Sequence, residues 1–234
     1  MDVAILYSGG KDSNYAVKHA LDSGWNIKYL LSVKPARKDC FLFHFATVEH
    51  TNLQAKALGL RHYLLSCNFA HPKLEADIVR RFVIANDRVD AVILGGTGLQ
   101  ATQIRSIREA LMPYGIEAFA AHSGQDHFDV LSRMVEDGFE IMITQVAAEG
   151  ALKWLGKTLS MANLRELEAD ARKHGFHVGG EGGHFDTFVV NAPTFSKRIH
   201  IQDFEVVRED ENCGHVVIRK AGLADDKSKL LILE

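Results

Sequence analysis

The chain has 234 residues, enough to bury a full core as one large domain or two small ones. Hydrophobic residues make up 47% and charged residues 24%, both near the globular average, which argues against a disordered or membrane class. Lysine plus arginine (27) against aspartate plus glutamate (30) leaves a net charge of −3, so a large nucleic-acid footprint, which depends on concentrated positive charge, is not expected.

The first element, Val3 to Tyr7, reads as a strand, and Asn14 to Leu21 as a helix. Between them lies Ser8-Gly9-Gly10-Lys11-Asp12-Ser13, expected on a strand-to-helix turn. Two glycines let backbone approach a ligand, and a helix start offers unpaired N–H groups and the positive end of its dipole. Lys11 adds a point charge for phosphate oxygens, Ser8 and Ser13 add hydroxyls, and the Asp12 carboxylate suits Mg²⁺. A nucleoside triphosphate is the expected ligand. The loop is not a Walker P-loop, which would need glycine at position 5 and serine or threonine at 12, where Ile5 and Asp12 stand.

Further along, Asn26 to Val33 reads as a strand, Thr47 to Leu58 as a helix closed by Gly59, Arg61 to Ser66 as a strand and Leu74 to Asn86 as a helix. Ala91 to Leu94 is a buried strand running into Gly95 to Gly98, and Ala101 to Leu111 is helical. This βα alternation predicts a parallel sheet, with Ser8 to Ser13, Ser32 to Pro35 and Gly95 to Thr97 facing one crevice at the C-terminal strand ends. Gly95 to Gly98 reads equally as a connecting loop or a nucleotide or substrate contact.

From about Ile116 the pattern changes. Ile116 to Ala121, Ile141 to Val146 and Phe188 to Val190 are apolar runs, Leu164 to His174 is helical, and Glu205 to Arg208 with His215 to Arg219 reads as a final strand pair. We expect two domains, residues 1–120 and an α+β region over 121–234, packed tightly without a flexible linker. Cys40, Cys67 and Cys213 form no CxxC pair, so reduced thiols in a cytoplasm are expected, and the N-terminal run is too short for a secretion signal. His44/His50 and His174/His177 lack companion ligands at zinc spacing, so they read as solvated or capping residues.

Gly179-Gly180-Glu181-Gly182-Gly183-His184-Phe185-Asp186-Thr187 sets four glycines among two carboxylates, a histidine and a threonine. Glycine is costly to order, so the density points to close backbone approach to a ligand. A tight turn into the next strand accounts for Gly182-Gly183 but not for the polar residues around them.

Here the sequence resembles the diphthine–ammonia ligase family, in which an SGGKDS loop on an N-type ATP pyrophosphatase domain precedes a domain with an EGGE-aromatic-acid-Thr motif. Phe41 to His44, Trp154-Leu155-Gly156, and Phe188 to Pro193 with Phe195 also match, so the likeness spans nearly the whole chain. His184 stands where the family has glutamate, and Ala121 to Gly124 lacks its tryptophan. The resemblance implies a HUP-like (adenine nucleotide α-hydrolase-like) parallel-sheet domain binding ATP and Mg²⁺, followed by a smaller acceptor domain. It implies adenylation of diphthine on translation elongation factor 2, release of pyrophosphate, and amidation with ammonium to diphthamide, with no membrane or direct nucleic-acid partner and with homo-oligomerisation open. Lys11 and Asp12 become the catalytic candidates, with Asp12 on Mg²⁺. Ser8, Gly9, Gly10, Lys11, Asp12, Ser13, Ser32, His44 and Gly95 become ATP contacts, and Thr97, Glu181, Gly182, Gly183, His184, Asp186 and Thr187 substrate contacts. The alternatives are a related ligase adenylating another carboxylate or a tRNA, and an ATP-binding sensor without catalysis.

Overall fold

The structure is a computed structural model that describes residues 1–37, 40, 42–43, 47–96 and 101–224. Its first sheet contains β1 (Asp2–Leu6), β2 (Asn26–Pro35), β3 (His62–Cys67), β4 (Ala91–Leu94) and β5 (Glu117–Ala120), all parallel, in the order β3-β2-β1-β4-β5. Parallel strands need crossovers, supplied by α1 (Lys11–Asp22), α2 (Thr51–Leu58), α3 (Pro72–Ala85) and α4 (Ala101–Leu111). Alternate residues of β1 feed opposite faces: Val3 and Ile5, with Tyr7 just beyond the strand, pack with Ala16, Val17 and Ala55, whereas Ala4 and Leu6 pack with Val79, Val83 and Ile107. Both faces are therefore covered, and β4 is buried at every position.

Strand order reverses at β1, whose neighbours β2 and β4 lie on its two sides. Such a switch point opens a crevice beyond the strand ends, because the chain leaves β1 in one direction and returns on the other. Helix α1 starts at Lys11, three residues earlier than the apolar pattern indicates, with Gly10 at the N-cap. Lysine, aspartate and serine carry no hydrophobic signal, so the first turn is invisible to periodicity.

The second sheet is antiparallel. It contains β6 (Glu140–Ala147), β7 (Thr158–Leu159), β8 (Phe185–Asn191), β9 (Ile199–Arg208) and β10 (Cys213–Leu223), with β6 paired to β7, β8 and β10, and β9 beyond β10. Helices α5 (His127–Glu136) and α6 (Leu164–His174) complete it, and its core gathers Trp154, Phe139, Phe188, Phe195, Leu131 and Met134. The α5 helix was not among the elements expected, although Asp126 caps it by accepting from Phe128 and Asp129 amides, and Val130, Leu131 and Met134 form its buried face. Strands β9 and β10 run longer than the expected pair, since five of the ten β9 residues are exposed and the ends of β10 are only partly buried, which weakens the alternation there.

Candidate active site

A cavity of about 380 Å³ lies at the C-terminal end of the parallel sheet. Leu31, Val33, Leu42, Phe43, Val48 and Leu94 give it an apolar wall. Ser8, Gly10, Lys11, Asp12 and Ser13 give it a polar end, and Glu181, Gly182, Gly183, Asp186 and Thr187 reach it from the second sheet. The apolar wall is held by backbone bonds at Leu42, whose N–H donates to the buried Glu75 carboxylate at 2.7 Å and whose carbonyl accepts from Gln103.

Three consecutive loop amides end on hydroxyl oxygens. Gly9 N–H donates to Ser13 Oγ at 3.1 Å, Gly10 N–H to Ser8 Oγ at 3.3 Å and Lys11 N–H to Thr187 Oγ1 at 3.1 Å. Hydroxyls are neutral acceptors, weaker than a phosphate oxygen, so these donors are satisfied yet exchangeable for an anion. Lys11 is only 6% exposed, with Nζ 2.5 Å from Asp12 Oδ2. Helix dipole, lysine and amides thus concentrate positive potential at one end of the cavity, with one carboxylate beside it.

The loop glycines are required by close approach. Gly9 has φ +83°, and a Cβ there would lie 2.6 Å from Gln54 Oε1. At Gly95 a Cβ would lie 2.5 Å from the Asp12 carbonyl carbon and 2.6 Å from Ser13 N, so the end of β4 rests directly on the first turn of α1. Asn14, fully buried, braces the same turn: it accepts from Tyr7 Oη at 2.6 Å and donates to the Gly9 and Gly10 carbonyls at 3.0 Å.

In the glycine-rich motif, Gly180, Gly182 and Gly183 have φ of +77°, +74° and +80°, a left-handed path that side chains disfavour. It brings the Glu181 carboxylate, 8% exposed, to the cavity. His127 Nδ1 approaches Glu181 Oε1 at 3.8 Å, while burial and the Lys11 ammonium hold His127 below its ordinary value, so the ring is neutral at pH 7. His177 stacks edge-on to His127, is lowered by burial and by that ring, and accepts the Gly179 N–H at 3.1 Å, a capping role.

Of the expected site residues, Ser8, Gly10, Lys11, Asp12, Ser13, Gly95, Glu181, Gly182, Gly183, Asp186 and Thr187 come together around one cavity, with Gly9 buried just behind it. Ser32 does not line it. Its hydroxyl is fully buried and donates to the Tyr7 carbonyl at 2.6 Å while His62 Nε2 lies 2.9 Å away, so it braces the strand end beneath the cavity. His184 does not line it either: its Nδ1 accepts the His177 N–H at 2.6 Å, turning the ring onto its own turn. His44 and Thr97 lie outside the described residues. Asn14, Gln54 and His127 were not anticipated. The buried amides sit at helix positions flanked by buried alanines, Gln54 beside Ala55 and Asn14 near Ala16, which is the signal a polar residue on an apolar face gives.

A parallel sheet ordered 3-2-1-4-5, with a glycine-serine-lysine loop at the end of its first strand and a second, antiparallel sheet beside the crevice, defines an α/β protein with its candidate site at the switch point of the parallel sheet. Family profiles described as the diphthamide synthase N-terminal and C-terminal domains match residues 1–110 and 126–223. The chain belongs to the diphthamide synthase family. It is 29% identical over 229 residues to a diphthine–ammonia ligase of Homo sapiens, covering 88% of this chain and 85% of that one. A diphthine–ammonia ligase of Danio rerio is 26% identical over 230 residues, covering 88% and 89%. A solved structure from Methanocaldococcus jannaschii, titled as a predicted subunit of tRNA methyltransferase, aligns over 82% of this chain and 98% of its own at 16% identity and a TM-score of 0.44.

Proposed function

We propose that this chain is an ATP-dependent diphthine–ammonia ligase, forming diphthamide on translation elongation factor 2 through an acyl-adenylate and releasing AMP and pyrophosphate. The supporting observation is that the phosphate-type loop and the glycine-rich motif, 176 residues apart, meet in one cavity through the Lys11–Thr187 hydrogen bond. A volume of about 380 Å³ lies within the range of small-ligand pockets, and its apolar wall and cationic end fit a purine and a polyphosphate respectively.

The loop amides and Lys11 would bind the phosphates and stabilise charge growing on the pyrophosphate leaving group. Asp12, a part-exposed carboxylate in the cavity wall, fits Mg²⁺ held jointly with phosphate oxygens, which would add further neutralisation. A carboxylate is a poor electrophile until its oxygen is joined to the α-phosphorus; ammonia then attacks the acyl carbon and AMP departs. No side-chain nucleophile is needed. Glu181, Asp186 and Thr187 would face the acceptor, with Glu181 supplying negative charge that attracts ammonium.

The test is incubation with ATP, ammonium and elongation factor 2 carrying diphthine, followed by mass measurement of the modified histidine and chromatography of the nucleotides. Conversion of carboxylate to amide together with AMP is expected. ADP as the sole nucleotide product, or AMP with no change in the acceptor, would overturn the proposal.

A further inference from the structure

The Gly9-Gly10 peptide of the phosphate loop is held by donors from three separate elements. The Gly9 carbonyl accepts from Asn14 Nδ2 at 3.0 Å, from Val189 N–H of β8 at 3.1 Å and from Gln54 Nε2 of α2 at 2.8 Å. Gln54 is fully buried, and its second amide hydrogen goes to the Val189 carbonyl at 2.8 Å. Its orientation is fixed by chemistry, since both contacts are carbonyl oxygens that only the NH₂ face can meet. Its Oε1 has no partner among the described residues. The fold thus accepts a buried unsatisfied oxygen in order to place two donors.

Across a trans peptide the C=O and the next N–H point in opposite directions. Gly10 lines the cavity and Gly9 does not, so fixing the Gly9 carbonyl away from the cavity directs the Gly10 N–H towards it. A peptide between two glycines rotates past few steric barriers, because neither flank carries a Cβ. Rotated by half a turn, it would aim a carbonyl oxygen at the phosphate position and repel the anion.

We propose that Gln54 is a positioning residue that locks the Gly9-Gly10 peptide in its anion-binding orientation and ties that orientation to strand β8, which also carries Asp186 and Thr187. The inference rests on the ATP reading of the cavity. Gln54 touches no ligand; it acts through the peptide.

The experiment compares wild type with Gln54→Met, which keeps length and removes the donors, and Gln54→Asn, which keeps the amide and withdraws it by one methylene. Affinities for ATP, ADP and adenosine are measured by calorimetry alongside thermal unfolding. The variants are expected to lose roughly tenfold or more in ATP affinity, less for ADP, and little for adenosine, because only phosphate meets the flipped carbonyl. A merely structural role would weaken all three alike or lower the melting temperature alone. Equal losses for ATP and adenosine, unchanged ATP affinity, or insolubility of both variants would overturn the proposal. Failure of wild type to bind ATP would instead overturn the ATP reading.

Discussion

The hydroxyl of Thr187 in β8 accepts the backbone N–H of Lys11, the first residue of α1, at 3.1 Å. Thr187 is 9% exposed, so this cap is formed out of water and links the two sheets at the phosphate loop. Thr187→Val would leave that N–H without an acceptor and should destabilise the fold by about 1–3 kcal/mol. Thr187→Ser, which keeps the oxygen, should recover most of the loss. Urea unfolding of both variants checks this, and equal stability of valine and serine forms would refute the cap.

Among the described residues lining the cavity, Lys11 is the buried cation. Lys11→Ala should lower AMP formation by about 10²–10³, the cost of losing one group that stabilises developing charge. Asp12→Asn should shift the Mg²⁺ titration of activity to higher concentration while the chain stays folded. Wild-type pyrophosphate release from the alanine variant would remove Lys11 from the mechanism, and an unchanged Mg²⁺ titration would remove Asp12 from metal binding.

Two glycines of the cavity should respond differently to alanine. At Gly95 the added Cβ meets Asp12 and Ser13 backbone at 2.5 and 2.6 Å, which cannot yield without moving the first turn of α1. That overpacking should cost about 1–3 kcal/mol and weaken ATP binding. At Gly182 no described residue lies within 4 Å of the added Cβ, and the penalty comes from φ +74°, about 1–2 kcal/mol, with ATP affinity retained. Paired calorimetry and unfolding curves decide the matter; loss of ATP affinity at Gly182 but not Gly95 would contradict it.

His122, at 2% exposure, has its pKa pushed down to about 4, chiefly by burial and next by His19, and its Nε2 has no partner among the described residues. Between about pH 6.5 and 4 the unfolded chain takes up a proton that the folded chain refuses, so stability should fall as pH falls through that window. The full contribution is about 3 kcal/mol. His122→Asn should flatten the stability curve there, with the remaining slope due to His62, His127 and His177, which burial also lowers. An unaltered slope in the variant would show that His122 titrates normally.

The parallel sheet was legible because its inner strands are buried on both faces and read as continuous apolar runs: Ala91–Leu94 is found at its expected bounds, as is the helix Ala101–Leu111 that follows. The loop and the glycine motif were legible as compositions that a mere turn does not explain. Less visible were contacts in which an ordinary residue acts by where it is buried. Nothing in the local sequence marks Gln54 as a donor to Gly9, since the partner lies on another element. Ser32 and His184 show the converse, polar residues near a site whose side chains satisfy backbone groups beside it. The α5 helix lay in plain view behind Asp126, masked by the change of pattern before it.

The tie between Gly9 and β8 also sets an order of events during synthesis. Residues 8–13 are translated before two of the groups that fix them, Thr187, which lies 176 residues after Lys11, and the Val189 amide. A nascent first half therefore carries the Gly9 carbonyl with two of its three donors, Asn14 and Gln54, and without the third. The last ties to residues 8–13 form only once β8 has been made and docked, so this loop is among the late parts of the fold to be completed.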